Sequence, residues 1–140
     1  MSDDGKQSNA PWLETLEKYV VTKDQVDNID AQTFIWNQLL LHGAYHVWCS
    51  PPNGGKTTIA LRAAADLALD GFDVFYFQLD SPASHLKDHQ AIAEKYGFKL
   101  VSILVEGSSE RDLVDLLKTI SQSKNLSDYV FILDTAKKFT

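Results

Sequence analysis

Ser50-Pro51-Pro52-Asn53-Gly54-Gly55-Lys56-Thr57 is the stretch that decides how this chain folds. It has the spacing of a phosphate-binding loop, G-x-x-x-x-G-K-[ST], with Ser50 where the first glycine is usual. Glycines let backbone N–H groups turn inward, and a helix starting near Gly55 aims the positive end of its dipole at whatever anion sits in the loop. Lys56 has the reach for β and γ phosphates, and the Thr57 hydroxyl suits Mg²⁺. The bland alternative is a surface turn built from the glycines and Pro51-Pro52. The pattern demands a strand before it and a helix after it, and both can be sought in the flanking residues.

Upstream, Tyr45 to Cys49 is a short β-rich run and is expected to be that strand. Downstream, Lys56 to Leu69 is alanine-rich and helical, closed by Gly71, with Ala60, Ala63, Ala64, Leu67 and Ala68 forming a small-residue stripe that suits close approach to a sheet. Thr58, Arg62 and Asp66 then face outward. Asp73 to Leu79 is the next expected strand, Ser81 and Pro82 open a helix that Gly97 stops, and Phe98 to Val105 is a third strand. Ser109-Glu110-Arg111-Asp112 opens a helix with a near capping box, and Tyr129 to Leu133 is a fourth, wholly apolar strand ending in Asp134. Strands alternating with helices imply parallel βαβ units, and apolar strands imply cover on both faces. The expected class is three-layer α/β with a mainly parallel sheet.

Residues 1–10 lack any hydrophobic period and are expected to be a disordered tail, residues 11–43 a helical or irregular lead-in, and residues 44–140 the core. Within the lead-in, Pro11 to about Val21 has helical spacing, whereas Thr22 to Gly43 is either one short helix closed by Gly43 or a bent approach to the next strand.

Two aspartates end strands. Asp134 follows the run Tyr129-Val130-Phe131-Ile132-Leu133, the Walker B pattern, which would bring its carboxylate beside Thr57 to hold Mg²⁺ through water. Asp80 follows Val74 to Leu79 and either polarises an attacking water or merely sets the turn into the next helix.

The order of phosphate loop, strand ending in an acid (Phe77-Gln78-Leu79-Asp80-Ser81-Pro82), further βα unit and Walker B strand (Ile132-Leu133-Asp134-Thr135) resembles the RecA-like ATPases, nearest to plasmid RepA-type and DnaB-like helicase ATPases and the AAA family ATPases of mobile elements. The resemblance covers roughly Thr33 to Thr140. It implies a P-loop NTPase fold that binds ATP or ADP with Mg²⁺ and is coupled to DNA replication, transfer or recombination, with DNA or replication proteins as partners and a homo-oligomeric ring in a full-length form. It also implies a nucleotide set of Ser50, Asn53, Gly54, Gly55, Lys56, Thr57 and Thr58, a metal pair of Thr57 and Asp134, and catalytic roles for Lys56 and Asp80. Asp80 stands where the family has a glutamate base, so its side chain is shorter. RecA-like domains run on past Walker B with further strands, one of them between the phosphate-loop strand and the Walker B strand. On that comparison residues 1–140 correspond to the N-terminal part of such a core, and a non-catalytic nucleotide-binding remnant is the alternative.

Composition narrows the field. Thirteen Lys and Arg against 19 Asp and Glu give a net charge of −6, and 44% of the 140 residues are hydrophobic, which suits one globular domain and disfavours a protein that coats nucleic acid through a basic surface. One cysteine, Cys49, excludes an internal disulfide framework and a four-cysteine zinc site. No apolar run suits a membrane span, and the acidic start, Met1-Ser2-Asp3-Asp4, is unlike a signal peptide, so a cytoplasmic protein with no membrane partner is expected. Arg62 and Arg111 are the only arginines. A small-molecule P-loop kinase, in which Asp80 would bind the acceptor hydroxyl, usually closes an arginine-rich lid that this chain lacks. Lys137 and Lys138 are cations that could reach a neighbouring subunit's nucleotide, without arginine's planar fork. His85 and His89, four apart on a helix, read as a solvated face, His46 and Cys49 as core or edge residues of the first strand, and Trp36 and Trp48 as packing residues.

Overall fold

The computed structural model describes residues 10–105 and 107–135. Apart from Ala10, the expected tail lies outside the described residues, as do Lys137 and Lys138. The chain divides into two compact units, Met1–Gln32 and Thr33–Thr140.

The first unit holds two short helices, α1 (Pro11–Glu17) and α2 (Lys23–Asp27). Pro11 occupies the first helical position, where its fixed φ helps and its missing N–H costs nothing. α1 ends four residues before the expected Val21, and it buries none of its residues. Thr22 starts α2 with a full capping box: its side chain accepts from Gln25 N, and Gln25 Oε1 accepts from Thr22 N.

The second unit is a small α/β domain on a three-stranded parallel sheet. Its elements are a hairpin of β1 (Phe34–Trp36) and β2 (Leu40–Leu41), then α3 (Lys56–Leu69), β3 (Asp73–Gln78), α4 (Ala83–Tyr96), β4 (Lys99–Ser102), α5 (Glu110–Ser121) and β5 (Tyr129–Asp134). The sheet order is β4-β3-β5, so β3 is central. Because β4 and β5 flank β3 on opposite sides, right-handed crossovers require α4 and α5 on opposite faces of the sheet. Packing agrees. Val74 and Tyr76 of β3 are buried with Ala60, Ala63, Ala64 and Leu67 of α3 and Ala93 of α4. Phe77 and Leu79, pointing the other way, are buried with Leu113 of α5. Helices therefore cover both faces, as the apolar strands require.

The alanine stripe explains how close α3 sits: Ala63, Ala64 and Leu67 are fully buried, and larger side chains there would hold the helix off the sheet. α3 stops at Asp70, and Gly71 takes a φ of 98° that a residue with a Cβ rarely adopts. Gly97 closes α4 in the same left-handed way, and Ser109 caps α5 by accepting from Asp112 N, both as the sequence implies. Pro82 is the residue preceding α4 rather than its first, and no side chain caps that helix. β4 is shorter than expected and ends at Ser102, with Leu104 and Val105 exposed in a turn.

The expected strand at Tyr45 to Cys49 is not formed. Residues 44–50 run without regular pairing, and Tyr45 and Val47 are 97% and 85% exposed. A strand exists only with a hydrogen-bonded neighbour, and among the described residues β5 pairs on one edge only, with β3. The undecided segment before it resolves into neither alternative but into a hairpin, β1 (Phe34–Trp36) with β2 (Leu40–Leu41), turned by Asn37 and Gln38 at φ of 43° and 56°. Leu39 N donates to Trp36 O across that turn, the primed geometry that suits hairpin twist. Trp36 is buried and donates from Nε1 to Asp66 Oδ2 on α3 at 3.0 Å, while Trp48 packs on it at 5.9 Å between ring centroids. Asp66 is consequently not a purely outward residue. The Trp36 donor, followed by Arg62, holds its carboxyl below the usual range.

Candidate functional site

Two backbone requirements shape the loop. Gly55, immediately before α3, has φ 80°, a conformation strained for any residue with a side chain. At Gly54 a Cβ would sit 2.9 Å from Pro51 O and 3.0 Å from the Ser50 side chain, so only glycine fits the turn closed by Gly54 N donating to Pro51 O. Asn53 is also left-handed, at φ 61°. Ser50 stays exposed and donates from Oγ to Pro51 O, so the serine is accommodated within the turn. No side chain caps the start of α3, and its first intrahelical acceptor is Gly55 O, taken by Ile59 N. The N–H groups of the preceding first turn are thus left without helical partners at the positive end of a 14-residue helix.

Lys56 and Thr57 are half-buried and Thr58 is exposed. Thr57 Oγ1 donates to Asp134 Oδ2 at 2.8 Å. The two motifs, 77 residues apart, therefore meet in the fold. Asp134 is 7% exposed, yet among the described residues no cation pairs with it. Its carboxylate accepts instead from neutral hydroxyls: Thr57 and Tyr76 on Oδ2, and Thr135 Oγ1 on Oδ1 at 3.3 Å. A buried carboxylate ringed by hydroxyls and lacking a cation is a donor set suited to a hydrated divalent ion. Among the described residues no three acidic, histidine or cysteine side chains gather as a direct metal cage, so such an ion would complete its shell with water and ligand oxygens.

Three residues that the motifs do not name complete the site. Tyr76 OH donates to Asp134 Oδ2, and burial first, then this bond, push the phenol well above its ordinary pKa. Gln78, the last residue of β3, lies in register with Ser102 of β4 and Asp134 of β5, so one polar row crosses the sheet at its carboxyl edge, two positions beyond the row of Leu100, Tyr76 and Ile132. His89 of α4 is half-buried, and its Nδ1 lies 2.6 Å from Gln78 Oε1. Burial lowers the His89 pKa, with His85 acting the same way and Asp134 and Asp88 opposing. His89 is thus no solvated-face residue, in contrast to the expectation for the His85–His89 pair. The signal was present in the alternation of β3: Val74, Tyr76 and Gln78 share a face, and a glutamine ending a buried apolar row requires a polar partner.

Asp80 lies beyond the end of β3, exposed, and lines a cavity of about 350 Å³ with Gln78, Leu79, Ser81, Pro82, Ile103 and Leu104. It makes no hydrogen bond or ion pair among the described residues. Arg62 is held by Asp66 on the flank of α3, and Arg111 is exposed at the start of α5. His46 is exposed and accepts from Leu41 N through Nε2, and Cys49 is exposed, so neither is a core residue. No described helix is long and apolar enough to cross a membrane. Compared with protein-family models, with curated proteins and with solved structures, the chain matches none.

Proposed function

We propose that this chain is a nucleotide-binding P-loop domain of RecA-like type that takes ATP or ADP with Mg²⁺. The observation that carries the reading is the 2.8 Å hydrogen bond from Thr57 to Asp134, because phosphate loop and Walker B strand have chemical meaning together only when those two side chains meet. The glycine-only positions 54 and 55 and the uncapped start of α3 support it, since backbone N–H groups at a helix N-terminus are what an anionic phosphate binds. In this reading Ser50, Asn53, Gly54 and Gly55 shape the cradle, with Thr58 in the first helical turn behind it. Lys56 supplies the mobile positive charge, and Thr57 and Asp134 hold the ion. Bound Mg²⁺ would neutralise charge on the phosphate oxygens.

Coupling of that site to replication, transfer or recombination of a mobile element, in a cytoplasmic ring acting on DNA, is the wider proposal and rests on the order of the motifs. A domain that binds nucleotide and turns it over slowly is the second reading, favoured by Arg62 being engaged by Asp66 on the flank of α3.

Mg·ADP or the Mg complex of a non-hydrolysable ATP analogue should raise the melting temperature of the protein, by about 2.7 kcal/mol of added stability at a hundred times the dissociation constant. Lys56→Ala should abolish the rise while leaving the unliganded melting temperature near wild type, because Lys56 makes no ion pair among the described residues. A rise that survives this substitution would remove the loop from the binding site.

A further inference from the structure

Gln78 contains the one buried side-chain polar atom that has no hydrogen-bond partner among the described residues, its Nε2. The residue is 3% exposed. Its other amide atom, Oε1, is engaged by His89 Nδ1, which donates in the tautomer protonated there, so the carboxamide is held at its oxygen while its donor end is left over. An unsatisfied buried donor is destabilising, and natural folds leave few of them. Gln78 stands in register with Asp134, one inter-strand spacing of about 4.8 Å away. Asp134 is in turn bonded to Thr57 in the first turn of α3. Gln78 also lines the open cavity at the carboxyl ends of β3 and β4 that Asp80 and Ser81 complete.

What the vacant donor requires is an acceptor oxygen, and a charged one makes the strongest partner. Ser102, beside Gln78 on β4, has its oxygen committed to Leu104 N, and Asp134 Oδ2 already accepts two hydroxyls. Neither neighbour in the row bonds the Gln78 donor. Building on the nucleotide reading above, we propose that Gln78 Nε2 donates to the terminal phosphate of a nucleoside triphosphate, with His89 as the positioning residue that holds the amide in that orientation. A diphosphate ends one phosphate short and leaves the donor unpaired, so Gln78 makes the site distinguish triphosphate from diphosphate.

The test measures, by calorimetry on the whole chain, the affinities of the Mg complexes of the non-hydrolysable imido analogue of ATP and of ADP, for wild type, Gln78→Met and His89→Ala. Methionine keeps the length of glutamine and carries no donor. Gln78→Met should reduce the preference for the triphosphate analogue over ADP by roughly tenfold or more, the value of one hydrogen bond to a charged oxygen, with ADP affinity retained. His89→Ala, which leaves β3 untouched and frees the amide to turn, should reduce the same preference by a smaller factor. Weakening of both ligands alike, or an unchanged preference in both variants, overturns the role of Gln78 while leaving nucleotide binding intact. Failure of wild type to bind either ligand overturns the nucleotide reading itself, and this inference with it.

Discussion

Asp134 and Asp80 both follow an apolar strand of one parallel sheet, and both come to its carboxyl edge, yet their surroundings are opposite. Asp134 is buried and fixed by hydroxyls from α3 and β3, whereas Asp80 is exposed, two residues past the last ladder position, with no partner among the described residues. The difference arises from register. Asp134 is the final residue of β5 and shares the face of Val130 and Ile132 that α3 covers, so strand geometry carries it under the helix. Asp80 belongs to the turn before α4, where no sheet hydrogen bond sets its direction. A carboxylate at a strand end is thus a structural fixture or a loop residue according to whether it falls inside the ladder.

The largest effect should come from removing the charge of the fixed carboxylate. Asp134→Asn keeps the volume but loses the charge that attracts a divalent ion, and it turns one oxygen into a donor facing two hydroxyl donors. Mg-dependent nucleotide binding should fall roughly tenfold to a hundredfold, the scale for residues that act on a metal through an intervening shell, while binding of nucleotide with excess chelator changes little. Equal losses with and without Mg²⁺ would make Asp134 a folding residue and erase its contrast with Asp80.

Tyr76 sharpens the same comparison one step back. Tyr76→Phe removes a buried hydrogen bond to a carboxylate and should cost about 1.5–3 kcal/mol in urea unfolding. Asp134 keeps its Thr57 and Thr135 donors, so Mg-dependent binding should weaken less than in Asp134→Asn. A stability cost near zero would mean that the phenol does not hold the carboxylate in solution.

How much of this was legible in the sequence follows from the same physics. Elements that carry their own local signals were readable: α3 from its alanines and Gly71, α5 from the Ser109 cap, β5 from its unbroken apolar run. The meeting of Thr57 with Asp134 was readable too, although the strand expected before the loop is not formed: β5 ends at the carboxyl edge of the sheet, and α3, packed on β3 and joined to its start by a short turn, begins at that same edge. Tyr45 to Cys49 misled because β propensity reports a side chain's fit to a pleated surface and says nothing of whether a neighbouring strand is present. The hairpin at Asn37-Gln38 was hidden by its lack of the Asn-Gly pair that usually marks such turns. The alternation of β3 signalled that Gln78 needs a polar partner, but that the partner is His89, and that Tyr76 bonds Asp134, depends on register across strands and on how α4 lies over them, neither of which a single segment encodes.

The depressed pKa of His89 gives a pH signature for the fixed side of the comparison. Burial favours the neutral ring in the folded state, so the unfolded chain binds more protons once pH falls below its ordinary value of about 6.5. Stability is fully present above that pH and is lost as pH falls toward the folded pKa. Wild type should therefore lose more stability between pH 7 and pH 5 than His89→Gln does, as read by denaturant midpoints at each pH. Parallel curves would show that the ring is not held neutral against Gln78.

The smallest effect on structure should come from Asp80. Asp80→Asn changes an exposed side chain with no partner among the described residues, so its stability should stay within about 0.5 kcal/mol of wild type. Its affinity for Mg·ADP should also be unchanged, because the ion-binding pair lies on Thr57 and Asp134 and the loop is untouched. Any Lys56-dependent hydrolysis, by contrast, should fall, since among the described residues Asp80 is the exposed carboxylate that shares the open cavity with Gln78 and so can reach a water there. Glutamate at this position, longer by one methylene, should restore turnover or exceed it if reach is what limits the aspartate. A loss of affinity or stability in Asp80→Asn comparable with that of Asp134→Asn would show that the loop acid is as fixed as the strand acid, and the distinction between ladder and loop would fail.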